Sequence, residues 1–229
     1  DPDARPSSPD TMDDEFDGST LASKWTLYRP DSNSPFNAPV CDSTQSLIRL
    51  GARGDYTSAG NDPTWSGIAQ TAPSGDWAFR CKVHCPTPLQ IGGSGFEIPE
   101  MLAGLLLTLS DGSIIGFAAQ GGFSAGYESA IRAERWTTPT NFGSEIRRAS
   151  FNMPLPAPLY LEVRKQGSKL TFRFSLDNLS WSFGYQWRYD LGSTSVNAVG
   201  LGARYNASNS RANLAEPPVA YFDWFRRVA

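Results

Sequence analysis
An all-β protein, two antiparallel sheets packed face to face, is what this sequence predicts, on three observations. Apolar residues alternate with polar or small ones at period two in one segment after another, which marks strands with a single buried face. No stretch of ten or more residues carries a 3.6-residue apolar period. Gly (21) and Pro (17) are frequent and scattered through the 229 residues, as short strands joined by turns require. At 40% hydrophobic and 12% aromatic, the chain has enough apolar surface for one large core.

The elements follow in chain order. DPDARPSSPD opens the sequence as an extended, Pro-stiffened segment. Residues 1–12 are expected to be a linker from an upstream module, on a chain that is processed or cut from something longer. Residues 13–229 are expected to be the sandwich. In DDEFDGSTLASKW, from Asp13, four carboxylates crowd into five positions. Asp13–Gly18 reads as a first strand lying against the last one, and GSTLASKW as one helical turn capped by Ser19 or Thr20. WTLYR (25–29), SLIRL (46–50), WAFRCKV (77–83) and LYLEVRK (159–165) alternate as half-buried strands do. LLLTLSDGSIIGFAA holds two strands around Asp111-Gly112, a type I′ hairpin dipeptide. A second hairpin turns at Gln166-Gly167. The closing strand, VAYFDWFRRVA, would aim Phe222 and Trp224 to one side and Asp223 and Phe225 to the other. About a dozen strands result, with no internal repeat.

Composition narrows the function. A net charge of −3 gives no electrostatic case for nucleic acid. The longest apolar run, MLAGLLLTLS, is too short to span a bilayer and is interrupted by Gly104. Three cysteines, Cys41, Cys81 and Cys85, cannot all pair. Cys81 and Cys85 would lie about 13 Å apart on an extended strand, beyond disulfide reach. His84 between them makes no zinc site without a second ligand pair, so they read as structural thiols.

The opening DEFDGSTLASKW and the closing YFDWFRR together resemble the concanavalin A-like lectin/glucanase superfamily. The resemblance is nearer to the accessory β-sandwich domains of family 43 glycosidases, through FDG…L…W, the YLEVRKQGSKLTFRFSLDNLSW hairpin (160–181) and YFDWFR. PSSPDTMDDEFDGSTL is also similar to the start of such domains in bacteriophage tail proteins. The resemblance implies a jelly-roll fold with the first and last strands adjacent. It further implies a structural Ca2+ held by Asp223, by Glu15 or its carbonyl, and by a carbonyl of the Ser43–Ser46 turn, an all-oxygen set that suits this ion. An EF-hand is excluded, because the twelfth position from Asp13 is Lys24 rather than a bidentate Glu.

No catalytic constellation emerges. Laminarinase-type glucanases carry Glu-x-Asp-x-x-Glu on one strand, and that pattern is absent. Glu97 and Glu100 in FEIPEM flank Pro99, which argues against a central strand, and QIGGSGFEIPE reads as a long loop. His84, the single histidine, has no nucleophile elbow near it, and GGFSAGY (121–127) lacks the Lys of a phosphate loop. Binding is what remains. Trp25, Trp77, Trp181 and Trp224 sit in strand or hairpin contexts that predict burial. Trp65, Trp136 and Trp187 lie nearer loops. Around Trp136 stand Arg132, Glu134, Arg135 and Asn141, the polar company a sugar needs, with Tyr127 and Arg204–Tyr205 assigned to the same face. The expectation is a non-catalytic carbohydrate-binding or adhesion domain, a C-terminal receptor-recognition module of a phage tail or other virion protein, placed in the virion or outside the cell. Its partners would be a cell-surface glycan and an upstream domain or other virion proteins, in a trimer if the tail resemblance holds. The alternatives are a glycosidase accessory domain and a purely structural virion decoration.

Overall fold
The computed structural model describes residues 3–4, 8–29, 38–51, 65–84, 100–121, 129–138, 141–151, 158–181, 187–206 and 219–228. Among them are fourteen strands and no helix. In order these are β1 (Thr26–Tyr28), β2 (Val40–Asp42), β3 (Leu47–Gly51), β4 (Trp65–Thr71), β5 (Trp77–His84), β6 (Glu100–Leu109) and β7 (Ile114–Gly121). Then come β8 (Ser129–Thr138), β9 (Asn141–Phe151), β10 (Leu159–Gln166), β11 (Lys169–Ser175), β12 (Trp187–Asp190), β13 (Val196–Asn206) and β14 (Val219–Arg227). They form two seven-stranded antiparallel sheets, β1-β4-β13-β6-β7-β8-β9 (sheet I) and β12-β11-β10-β5-β14-β3-β2 (sheet II). The fold is a concanavalin A-like jelly-roll sandwich.

Period two decides which side chains meet. Leu105, Leu107, Phe117, Ile131, Val199 and Leu201 of sheet I face Ile48, Phe79, Leu161, Val163, Phe172 and Phe222 of sheet II, all at most 1% exposed. Each such side chain contributes about 1.5–3 kcal/mol by leaving water. Trp187 belongs here too. Its ring meets Phe117 at 5.9 Å and Phe174 at 6.4 Å, so β12 uses it as core although the surrounding sequence suggests a loop.

Several local expectations change. The Asp111-Gly112 hairpin is a three-residue loop, Ser110–Gly112, with Gly112 alone at positive φ (+82°) and Leu109 N–H bonded to Ser113 O. That is a turn with a G1-type bulge, not a two-residue type I′ turn. In β14 a bulge at Asp223 shifts the register between Phe222 and Trp224. Phe222 and Phe225 therefore both enter the core, and strict alternation fails. GSTLASKW contains bends and a turn instead of a helical turn. Asp13–Gly18 forms only a single bridge, Asp14 to Phe225, beside the terminal strand.

The described part of residues 1–12 is docked on the sandwich. Asp3 Oδ2 accepts from Lys82 Nζ and Tyr160 Oη, both at 2.9 Å, and Met12 O accepts from Gln70 Nε2 at 2.8 Å. No helix among the described residues is long and apolar enough to cross a membrane.

Candidate functional site
The outer face of sheet I carries a second cluster, separate from the main core. The registers set Trp65, Arg204, Leu102 and Gln120 side by side in one row across β4, β13, β6 and β7. A parallel row holds Gly67, Gly202, Gly104, Ala118 and Arg132, and the next ends in Gly116 and Glu134. Small residues in the middle leave room for one large ring. The Trp65 indole fills it, reaching across so that a Cβ on Gly116 would lie 2.1 Å from it. Trp65, Leu102, Leu106, Ile114, Ala118 and Trp136 form this cluster, with Tyr28 packed against it.

A polar network runs from this cluster to the surface along β8 and β9. Glu134, fully buried, is ion-paired through Oε1 with Arg132 Nη2 at 2.7 Å and accepts from Trp136 Nε1 at 3.1 Å on Oε2. Arg204 approaches the same Oε1 at 3.8 Å, and its guanidinium lies 5.1 Å from the Trp136 ring centre. Arg132 also donates to Gln120 Oε1 and reaches Glu145 Oε2 at 3.2 Å on the rim. Burying a carboxylate this fully is tolerable only because two guanidinium groups and an indole N–H face it. Two buried donors of this face, Trp65 Nε1 and Gln120 Nε2, have no hydrogen-bond partner among the described residues. At the rim Phe142 is 46% exposed, its ring 5.4 Å from Trp136 and edge-on at 78°.

The structure thus brings together Trp65, Trp136 and Arg132 of the residues singled out from sequence, with Arg204 and Glu134 among them. Trp65 and Trp136 lie on strands with 0% and 2% exposure, so neither indole is an open platform. Asn141 is exposed at the start of β9, next to Phe142, and its carbonyl accepts from Thr137 Oγ1. Trp187 points into the interior between the sheets, away from this face. Tyr205 is on β13, and Tyr127 lies outside the described residues. Gln120 and Phe142 escaped sequence reasoning. Phe142 at the start of a strand beside Trp136 was the available signal for the second.

The carboxylates assigned to Ca2+ are occupied otherwise. Asp223 sits between Lys82 Nζ at 2.8 Å and His84 Nε2 at 3.1 Å. Burial alone would raise its pKa, but these two hydrogen bonds and their charges hold it below the ordinary carboxylate range. Glu15 forms a two-pronged pair with Arg226, at 2.7 and 2.9 Å. Asp13 and Asp14 of the opening stretch are engaged as well. Asp13 Oδ1 accepts from Arg227 N, while Asp14 accepts from Phe16 N and Trp25 Nε1. Cationic groups stand where a metal's anionic ligands would converge, so the residues present do not fit the ion. No group of three His, Cys, Asp or Glu positioned for a metal occurs among the described residues.

No protein-family profile matches the chain, and no curated protein matches it in sequence. Solved structures do. A family 43 glycoside hydrolase, BlXynB of Bacillus licheniformis, aligns over 99% of this chain and 40% of its own, with 16% identity and TM-score 0.61. The CBM2 module of the evolved Dit of Lactobacillus casei BL23 phage J-1 aligns over 93% of both chains, with 15% identity and TM-score 0.52. A Bacillus licheniformis beta-glucanase aligns over 95% of this chain and 97% of its own, with 9% identity and TM-score 0.56. At these identities the likeness is one of fold alone, that of a concanavalin A-like jelly-roll sandwich. The chain spans 40% of the length of the glycoside hydrolase it matches.

Proposed function
We propose that this is a non-catalytic carbohydrate-binding domain that engages a cell-surface or extracellular polysaccharide on the outer face of sheet I. The observation that carries the reading is Phe142. It presents an apolar ring to solvent at the end of a polar network that runs inward through Trp136, Glu134 and Arg132. A pyranose offers a C–H face for such a ring and hydroxyls for the groups beside it. Asn141 and Glu145 stand at the rim to meet those hydroxyls. The fold's occurrence in a phage CBM2 module and in family 43 glycosidases supports a virion or extracellular setting. Receptor recognition at a phage tail is the specific role we favour.

Catalysis is not part of the proposal. Glu134 and Glu145 are cross-strand neighbours, but the Arg132 guanidinium lies between their carboxylates, in the space a glycosidase gives to sugar or water. Of the sequence candidates, Glu97 lies outside the described residues and Glu100 opens β6.

The test is binding of the isolated chain to xylans, β-glucans and bacterial surface polysaccharides. Phe142→Ala should weaken the best ligand by about 1 kcal/mol, roughly fivefold, with the melting temperature kept. Binding unchanged by Phe142→Ala, or no binding to any glycan or cell surface, refutes this site.

A further inference from the structure
On the opposite side of the sandwich, the outer face of sheet II holds a groove of about 280 Å³ lined by Arg164, Gln166, Lys169, Thr171, Arg173 and Arg188. The registers build it. Arg188, Thr171 and Arg164 form one cross-strand row over β12, β11 and β10, and Arg173, Glu162 and Arg80 form the next. Glu162 is wholly buried and anchors the second row, bonding Arg80 Nε at 2.7 Å and Arg173 Nε at 2.8 Å, with Arg164 Nε at 3.7 Å. Trp181 covers Arg80 at 4.3 Å and Arg173 at 5.4 Å. Arg80 and Arg173 are therefore held in place before any ligand arrives. One carboxylate serves three arginines. Lys169 faces Asp190 across β11 and β12, and its charge helps hold that carboxylate below the ordinary range. A chain of net charge −3 thus concentrates positive charge on one grooved face.

We propose that this groove binds an acidic polysaccharide through its carboxylates, as a second site distinct from the outer face of sheet I. The proposal rests on the carbohydrate-binding reading and specifies its ligand class. Guanidinium forks match carboxylates two-to-two, and adjacent rows repeat along the strands about every 7 Å, so successive anionic groups of a polymer can be met in turn. Thr171 and Gln166 supply the neutral partners that sugar hydroxyls need. Among the described residues the lining has no aromatic platform for nucleobases and no apolar wall for acyl chains.

Calorimetry at two salt concentrations tests it, with polygalacturonate and its fully methyl-esterified form as probes, the same backbone with and without charge. The acid form should bind at least tenfold more tightly and weaken with salt. Lys169→Glu/Arg188→Glu should reduce that binding at least tenfold, and Lys169→Ser/Arg188→Ser several-fold, with melting temperatures close to the parent's. Phe142→Ala should leave it unchanged, which separates this groove from the neutral-sugar site. Equal binding of both polymers overturns the proposal. So does binding that survives both double variants, or a single-stranded DNA of equal charge that competes on equal terms.

Discussion

At the scale of single residues, aromatic and acidic side chains serve different ends from those their neighbours in sequence suggest. Trp136 was legible as part of a polar site from Arg132, Glu134 and Asn141 around it, but its burial was not. Nothing local shows that Gly116 and Gly202 make room for Trp65, because that contact is made across strands distant in sequence. Trp136→Ala is consequently a stability experiment, and we expect a loss of about 3–5 kcal/mol in urea unfolding. Asp223 yields a pH prediction. Its folded pKa is depressed, so its contribution is present above the unfolded value and disappears as pH falls through the folded one. Between pH 6 and pH 3 the parent should therefore lose more stability than Asp223→Asn, measured by urea midpoints. A variant whose loss equals the parent's would remove Asp223 from the acid response. Since Lys82 and His84 already hold this carboxylate, EDTA should leave the melting temperature where it is.

At the scale of elements, strands were readable and their irregularities were not. WAFRCKV and LYLEVRK match β5 and β10 to within one residue, because alternation over seven positions reports a buried face directly. The bulge in β14 breaks that pattern through pairing with β5, which no window on VAYFDWFRRVA contains. Short strands such as β1 and β2, three residues each, fall below the length at which a period can be seen. Turns give the prediction at this level. Gly112 and Gly167 sit at φ +82° and +57° with open space where a Cβ would be, so the cost of Ala there is conformational and not steric. Gly112→Ala should destabilise by about 1–2 kcal/mol, while Ser110→Ala in the same loop should do much less. Equal effects would mean that the loop does not depend on its left-handed residue.

At the scale of the whole molecule, two charged faces lie back to back, one closed over a buried glutamate and one open and cationic. The sequence disclosed the sandwich that separates them. The face to which each arginine belongs came only with strand order. Activity belongs to this scale too: incubation with xylan, β-glucan or polygalacturonate should release no reducing ends above buffer, and release would replace the binding reading with an enzymatic one. Strand order has a further consequence, for synthesis. β14 lies between β5 and β3, and β13 between β4 and β6, so the two latest described strands sit inside the two sheets. A ribosome that has delivered residues up to 195 has made twelve of the described strands, yet neither sheet can be complete. Until β13 and β14 emerge, β3, β4, β5 and β6 each present a bare edge ready to pair with another chain. Slow translation or early termination before residue 219 should thus produce aggregates rather than a smaller soluble fold.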